Sequence, residues 1–265
     1  MLRPALRLPV LTASLILALP AQAQEMPGEG GGRAGLDLGG GVGLRPRYEG
    51  SDEHTLRALP VIRGYVNSPV GRFGLGEGGL NWSVRPAEGL NLGLSLGYQR
   101  GRKESASQEL RGLGDVKGGT EVGAFGNYRI GRAFLRAGAK TLTSGAGKTS
   151  TTAELGLGYM FRLNDKLALI PSADVAWAND KHMQRYFGVS SEQSLNSGLP
   201  VYAAGSGIKS AGVGLMLRYR VTDSVNLFAL ARENVLLGDA GDSPVTRNRS
   251  QPQLMLGASY HFELR

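Results

Sequence analysis

The chain has 265 residues, a net charge of +8, 41 glycines and no cysteine. Without cysteine there can be no disulfide framework, thiolate nucleophile or cysteine metal site, and the glycines, twice the usual share of about 7%, follow no period of three, which excludes collagen. The basic residues are scattered, with no Lys/Arg cluster interleaved with aromatics, and this argues against nucleic acid as a partner.

Arg3 and Arg7 precede an apolar core at 8–20, and Ala21-Gln22-Ala23 follows as a small-residue cleavage site. Residues 1–23 therefore read as a secretory signal peptide. The core is broken by Pro9 and Pro20 and falls short of the roughly 20 apolar residues of a spanning anchor. The mature chain is expected to begin at Gln24 with a net +6, and its Gly-rich residues 24–33 read as a flexible leader. No 18-residue apolar run follows Ala23, so a helical inner-membrane protein is excluded. Residues 34–265 are left as one domain.

A period of two begins there. Leu36, Leu38, Gly40, Val42 and Leu44 share one face of a strand, opposite Asp37, Gly39, Gly41, Gly43 and Arg45. The next candidates, 55–66 and 70–77, are the least regular, and Pro60 weakens the first. Leu80, Trp82 and Val84 make a fourth strand, and Leu90, Leu92, Leu94, Leu96 and Tyr98 a fifth. Gly118–Tyr128, Ala133–Thr141, Ala153–Phe161, Leu167–Trp177, Ala211–Tyr219 and 225–232 continue the pattern. The twelfth strand carries Leu254, Leu256, Ala258, Tyr260 and Phe262 on its apolar face. Leu264 keeps the alternation, so Phe262 lies within a girdle rather than at the chain end.

Connections after the even-numbered strands are short and most of those after odd-numbered ones are long, the longest near 180–210. Tyr98 and Trp177 end strands running one way; Tyr128, Tyr159, Phe161, Tyr219, Tyr260 and Phe262 end strands running the other. Runs of about 10 residues, short turns on one side and aromatics at both ends predict an all-β fold: a transmembrane antiparallel up-and-down β-barrel. Twelve strands are expected, or ten if 55–77 does not span. Both termini then lie in the periplasm of a Gram-negative cell, and outer-membrane lipid and lipopolysaccharide surround the wall.

Lys or Arg facing lipid at midplane costs about 2–4 kcal/mol, so the register that turns charges inward is favoured. It places Asp37, Glu121, Arg136, Lys140, Glu154, Asp174 and Arg218 in the lumen. In a simple meander Lys140 falls between Glu121 and Glu154, which reads either as an ion-pair cluster bracing the wall or as three separately solvated charges. Ser259 and His261 share the lumen face, but a lipid esterase needs access from the bilayer. Glu49, Asp52 and Glu53 lack EF-hand spacing, and the glycine run 39–43 lacks the Lys-Ser/Thr of a phosphate loop. No catalytic, cofactor-binding or metal residue is expected.

The loops carry a resemblance. Arg45-Pro46-Arg47-Tyr48-Glu49-Gly50-Ser51-Asp52 with Leu59-Pro60, then Leu110-Arg111-Gly112-Leu113-Gly114-Asp115, Tyr186-Phe187-Gly188-Val189-Ser190 with Ser197-Gly198-Leu199-Pro200, and Gly241-Asp242-Ser243-Pro244-Val245 resemble, in order and spacing, the signature segments of the MipA/OmpV family. That resemblance implies a non-enzymatic outer-membrane barrel acting as a scaffold in peptidoglycan synthesis and remodelling, with a lytic transglycosylase and a penicillin-binding protein as partners. Small-solute or antibiotic permeability and surface adhesion are the alternatives it implies. Both Tyr48–Asp52 and Tyr186–Ser190 are expected outside the cell, whereas a murein scaffold must act from the periplasmic end, where only the leader and short turns are available.

Overall fold

The computed structural model describes residues 33–76, 78–144 and 148–264; the expected signal peptide and the leader up to residue 32 lie outside the described residues. Twelve antiparallel strands follow one another around a closed ring. They are β1 (Ala34–Pro46), β2 (His54–Ser68), β3 (Gly71–Gly76), β4 (Gly79–Ala87), β5 (Leu90–Gln99), β6 (Gly119–Ile130) and β7 (Ala133–Ser144). Then come β8 (Lys148–Tyr159, continued beyond Met160 as Phe161–Arg162), β9 (Leu167–Ala178), β10 (Gly207–Arg220), β11 (Val225–Leu236) and β12 (Gln253–Leu264). The last strand closes on the first, from Ala34 opposite Leu264 to Leu44 opposite Leu254. In lipid a backbone N–H or C=O has no water to bond, so a spanning sheet must close on itself.

Alternation decides what faces lipid. Leu92, Leu94, Leu96, Leu155, Leu157, Val213, Leu254 and Leu256 are exposed on the outer surface. Tyr159 packs against Phe161 with centroids 4.6 Å apart, and Tyr260 against Phe262 at 4.5 Å, both pairs tilted, in the aromatic girdle at the short-turn end. The final strand runs to Leu264, which places Phe262 inside that girdle.

The abundance of glycine has a structural reason. Four inward rings lie across a glycine at the directly paired position of the next strand: Tyr65 over Gly35, Phe125 over Gly93, Phe134 over Gly158, Phe228 over Gly257. A Cβ at Gly93, Gly158 or Gly257 would stand 2.3 Å from the ring's Cζ. At the seam the strands are closer still, since a Cβ on Gly39 would meet the Ala258 carbonyl oxygen at 2.0 Å.

Two features depart from the sequence reading. The lumen is polar only in part: Ile170, Met216, Leu230 and Met255 are paired in succession across β9 to β12 and join Leu59 and Met160 in an inward apolar belt. And β3 has only six residues, pairing with Gly64–Ser68 at the lower end of β2. The expected strand at 70–77 exists, but its hairpin with β4 stops short. The expected fourth strand runs further, through Pro86 to Ala87.

Gly158→Ala should destabilise the barrel by about 1–3 kcal/mol through overpacking, and Phe134→Ala in the same chain should recover part of the loss. Urea midpoints of the folded, fast-migrating band would show the coupling as non-additivity between single and double variants.

Candidate functional site

The outer mouth of the barrel is covered by its own loops. Residues 47–53, 100–118, 179–206 and 237–252 leave from β1, β5, β9 and β11. The third loop, the longest, contains α1 (Asp180–Phe187) and α2 (Ser191–Ser197), and the fourth begins with α3 (Gly238–Asp242). Asn179 starts α1: its Oδ1 accepts from His182 N at 2.9 Å and from Thr151 N at 3.0 Å, fastening the helix to the top of β8. A capping box between Ser190 and Gln193 starts α2, which ends at Gly198 with φ 76°.

Two apolar clusters hold this cap. Ala178, Met183, Phe187, Ala204, Leu236 and Ala240 form one. Tyr48, Leu110, Leu113, Val189 and Val245, drawn from four different loops, form the other. Polar bonds lock the same segments. Tyr48 Oη donates to Val245 O at 3.2 Å, Ser243 Oγ to Phe187 O at 2.5 Å, and Gly50 N to Gln251 Oε1 at 2.9 Å. Gln251 Nε2 donates to Ser51 O at 3.2 Å. Burial, reinforced by the charge of Glu109, pushes the Tyr48 phenol up to about 12, so it stays a donor. Arg102 lies half-buried between the Tyr48 and Tyr186 rings, at 5.8 and 5.9 Å, and donates to Tyr186 O at 2.9 Å. Beneath it Lys209 Nζ meets Glu49 Oε1 at 2.8 Å, both largely buried.

The signature residues Tyr48, Glu49, Gly50, Ser51, Tyr186, Phe187, Gly188 and Ser243 thus fall within one interlocked body. Asp242 lies at its exposed rim, bonded to Arg249, and Asp52 is exposed; Pro244 sits half-buried next to Val245. Glu49 and Glu53 have basic partners, Lys209 and Arg47.

Below the cap the lumen is charged. Lys140 Nζ lies 3.1 Å from Glu121 Oε1, and Arg232 Nη2 2.6 Å from Asp174 Oδ2. Glu154 shares with Lys140 a pocket, partly open to solvent, that Arg136, Asp174, Arg232 and Ser95 also line. Arg136 presents Nε and Nη1 there without a hydrogen-bond partner. Opposed charges of this kind can hold a small polar solute by both ends. His261, paired with Ser259 in the sequence reading, has its Nδ1 2.8 Å from Asp37 Oδ1. Alternation on β2 and β3 gives Arg57, Arg63 and Arg72 as further inward charges, which the irregularity of that stretch had hidden. Nothing local in the sequence marks Arg102, Lys209 or Gln251, because each acts on a loop far away in the chain.

The cap should respond to pH and to loss of one side chain. Burial, with Lys209 and Arg185 nearby, holds the His182 imidazole well below its ordinary value of 6.5. The closed cap therefore stays unprotonated where an opened one takes up a proton. Its stability is full above pH 6.5 and falls by about 1.4 kcal/mol per pH unit below it. Protease cleavage within 179–206 should be faster at pH 5.5 than at 7.5, and His182→Gln should remove the difference. Gln251→Ala strands Gly50 N and should cost about 1–3 kcal/mol locally, read as faster cleavage after Arg247 with the barrel itself intact.

Comparison with known proteins bears on the family and the fold. The model of the family described as "MltA-interacting protein MipA" matches residues 38–262. MltA-interacting proteins of Escherichia coli (strain K12) and Shigella flexneri are each 24% identical over 258 residues, covering 97% of this chain and 99% of theirs. The translocator domain of the autotransporter NalP from Neisseria meningitidis shares the barrel fold, with a TM-score of 0.51 at 12% identity, over 91% of each chain. A transmembrane barrel with outer-membrane likeness is thereby joined to a family match across nearly the whole described wall: the chain belongs to the MltA-interacting protein MipA family.

Proposed function

We propose that the chain is a non-enzymatic outer-membrane scaffold for murein-remodelling enzymes, engaging a lytic transglycosylase and a penicillin-binding protein at its periplasmic end. The observation that carries this reading is the contrast between the two ends. The outer mouth is covered by a packed cap, whereas the periplasmic turns present the exposed side chains of Arg85, Arg129, Arg132, Arg162, Lys166 and Arg220. Among the described residues, only Glu88, Asp165, Asp223 and Glu263 offset them there. A predominantly basic rim on a rigid ring suits an acidic protein surface and steers its approach. The names of the Escherichia coli and Shigella flexneri relatives supply the transglycosylase as first candidate.

Immobilised full-length protein should retain a membrane-bound lytic transglycosylase, and charge reversal at Arg85, Arg132 and Lys166 together should weaken retention at least ten-fold. Gln251→Ala, at the other end, should leave it unchanged. Retention that ignores the rim, or none by the wild type, would sink the scaffold reading.

A permeability role is favoured by a different feature, the two-signed cavity. Single-channel recording in planar bilayers separates them: a scaffold with a closed cap gives no steady conductance, while a channel conducts with the cap in place.

A further inference from the structure

The charges around the lumen pocket do not all find partners. Lys140 is taken by Glu121 at 3.1 Å, and Arg232 by Asp174 at 2.6 Å. Above the pocket Lys209 is taken by Glu49. Of the charged residues that line it, one cation and one anion are left over, Arg136 and Glu154. Among the described residues neither forms an ion pair, with the other or with a third group. Arg136 Nε and Nη1 also have no hydrogen-bond partner. Asp174 and Glu154 attract this guanidinium from a distance, and Arg232 repels it.

Glycine makes the room between them. Gly156 is paired directly with Arg136 on β7 and with Asp174 on β9. A Cβ there would stand 3.2 Å from Asp174 Cβ and 3.5 Å from Arg136 Nη2, so both side chains lean over bare backbone. One inward position higher on β8, Glu154 is paired with Gly138 and Ala176, neither of which offers it a polar side chain. It stands exposed to the lumen. Arg136 and Glu154 are thus diagonal neighbours, and such positions lie about 7–8 Å apart on adjacent strands. A molecule carrying both charges bridges that gap.

We propose that this pocket binds a small zwitterion of the α-amino acid class. Its carboxylate accepts from the Arg136 guanidinium, and its ammonium donates to the Glu154 carboxylate. Both bonds are charge-assisted, and a guanidinium presents its donors in the plane a carboxylate needs. A simple anion at Arg136 would meet repulsion from Glu154, and a simple cation at Glu154 would meet it from Arg136. The inference concerns binding alone and depends on neither the scaffold nor the permeability reading.

The test titrates the full chain in phosphatidylcholine nanodiscs with alanine and follows backbone amides by NMR. Alanine should shift Gly138 and Gly156 saturably and leave Gly257, at the seam, unmoved. It should bind at least ten-fold more tightly than propionate or ethylamine, which have its size but one charge each. Arg136→Gln should lower its affinity to that of ethylamine, and Glu154→Gln to that of propionate. Arg136→Lys should keep the preference for alanine. Gly138→Val keeps every charge, and its Cβ meets only ordinary contacts, Ala124 O at 3.5 Å and Phe125 Cβ at 3.7 Å. It should fold and yet lose binding, because its methyl groups occupy the pocket. No shift at Gly138 and Gly156, equal shifts at all three glycines, or propionate or ethylamine matching alanine would each overturn the proposal. So would a folded Arg136→Gln or Glu154→Gln variant with unchanged affinity.

Discussion

Everything in this molecule follows from the demand that a backbone in hydrocarbon satisfy its own hydrogen bonds. That demand closes twelve strands into a ring, and the pleat's period of two then sets most leucines, valines and girdle aromatics outward and the glycines and charged side chains inward. The inside must then be filled without a second sheet. The chain does so by laying large rings flat over glycines of the next strand, as Phe125 does over Gly93 and Phe228 over Gly257. Glycine content is thus a packing device here, and each such pair is a unit in which neither partner can change size alone.

The wall was legible in the sequence because its rule is local. Outward leucines two apart, aromatics at strand ends and alternating turn lengths are all visible within a dozen residues. The closeness of Lys140 to Glu121 was legible for a related reason: β6 and β7 are neighbours in the chain, so their facing residues can be read off a meander. What escaped was the inward apolar belt. Its members sit one per strand at positions such as Met160 and Met255, where a lone methionine looks like an irregularity.

The cap was legible as a set of segments and illegible as a body. Tyr48 and Val245 are 197 positions apart, and Gly50 and Gln251 are 201 apart. No periodicity links them, and family signatures mark where constraint lies without saying what touches what. Lys209 shows the limit clearly. It lies near a register shift in the pairing of β9 with β10, where simple alternation no longer assigns a direction, and its partner Glu49 is in the first loop. A buried pair of this kind adds little net stability against an apolar alternative; its effect is to fix where the first loop rests.

The seam between β1 and β12 has a consequence for how the molecule is made. Neighbouring hairpins can zip as they emerge, but the eleven-residue register from Ala34 opposite Leu264 to Leu44 opposite Leu254 joins the first strand to the last. It is the contact of longest separation in the fold, and its loop-closure entropy falls due only after all the rest is threaded. With Gly39 and Gly41 pressed against the carbonyls of Ala258 and Leu256, the seam also admits no bulk. The terminal strand therefore acts as a latch: until it engages, both border strands of the growing sheet stay open, and a chain stopped short of its final residues has no other way to shut.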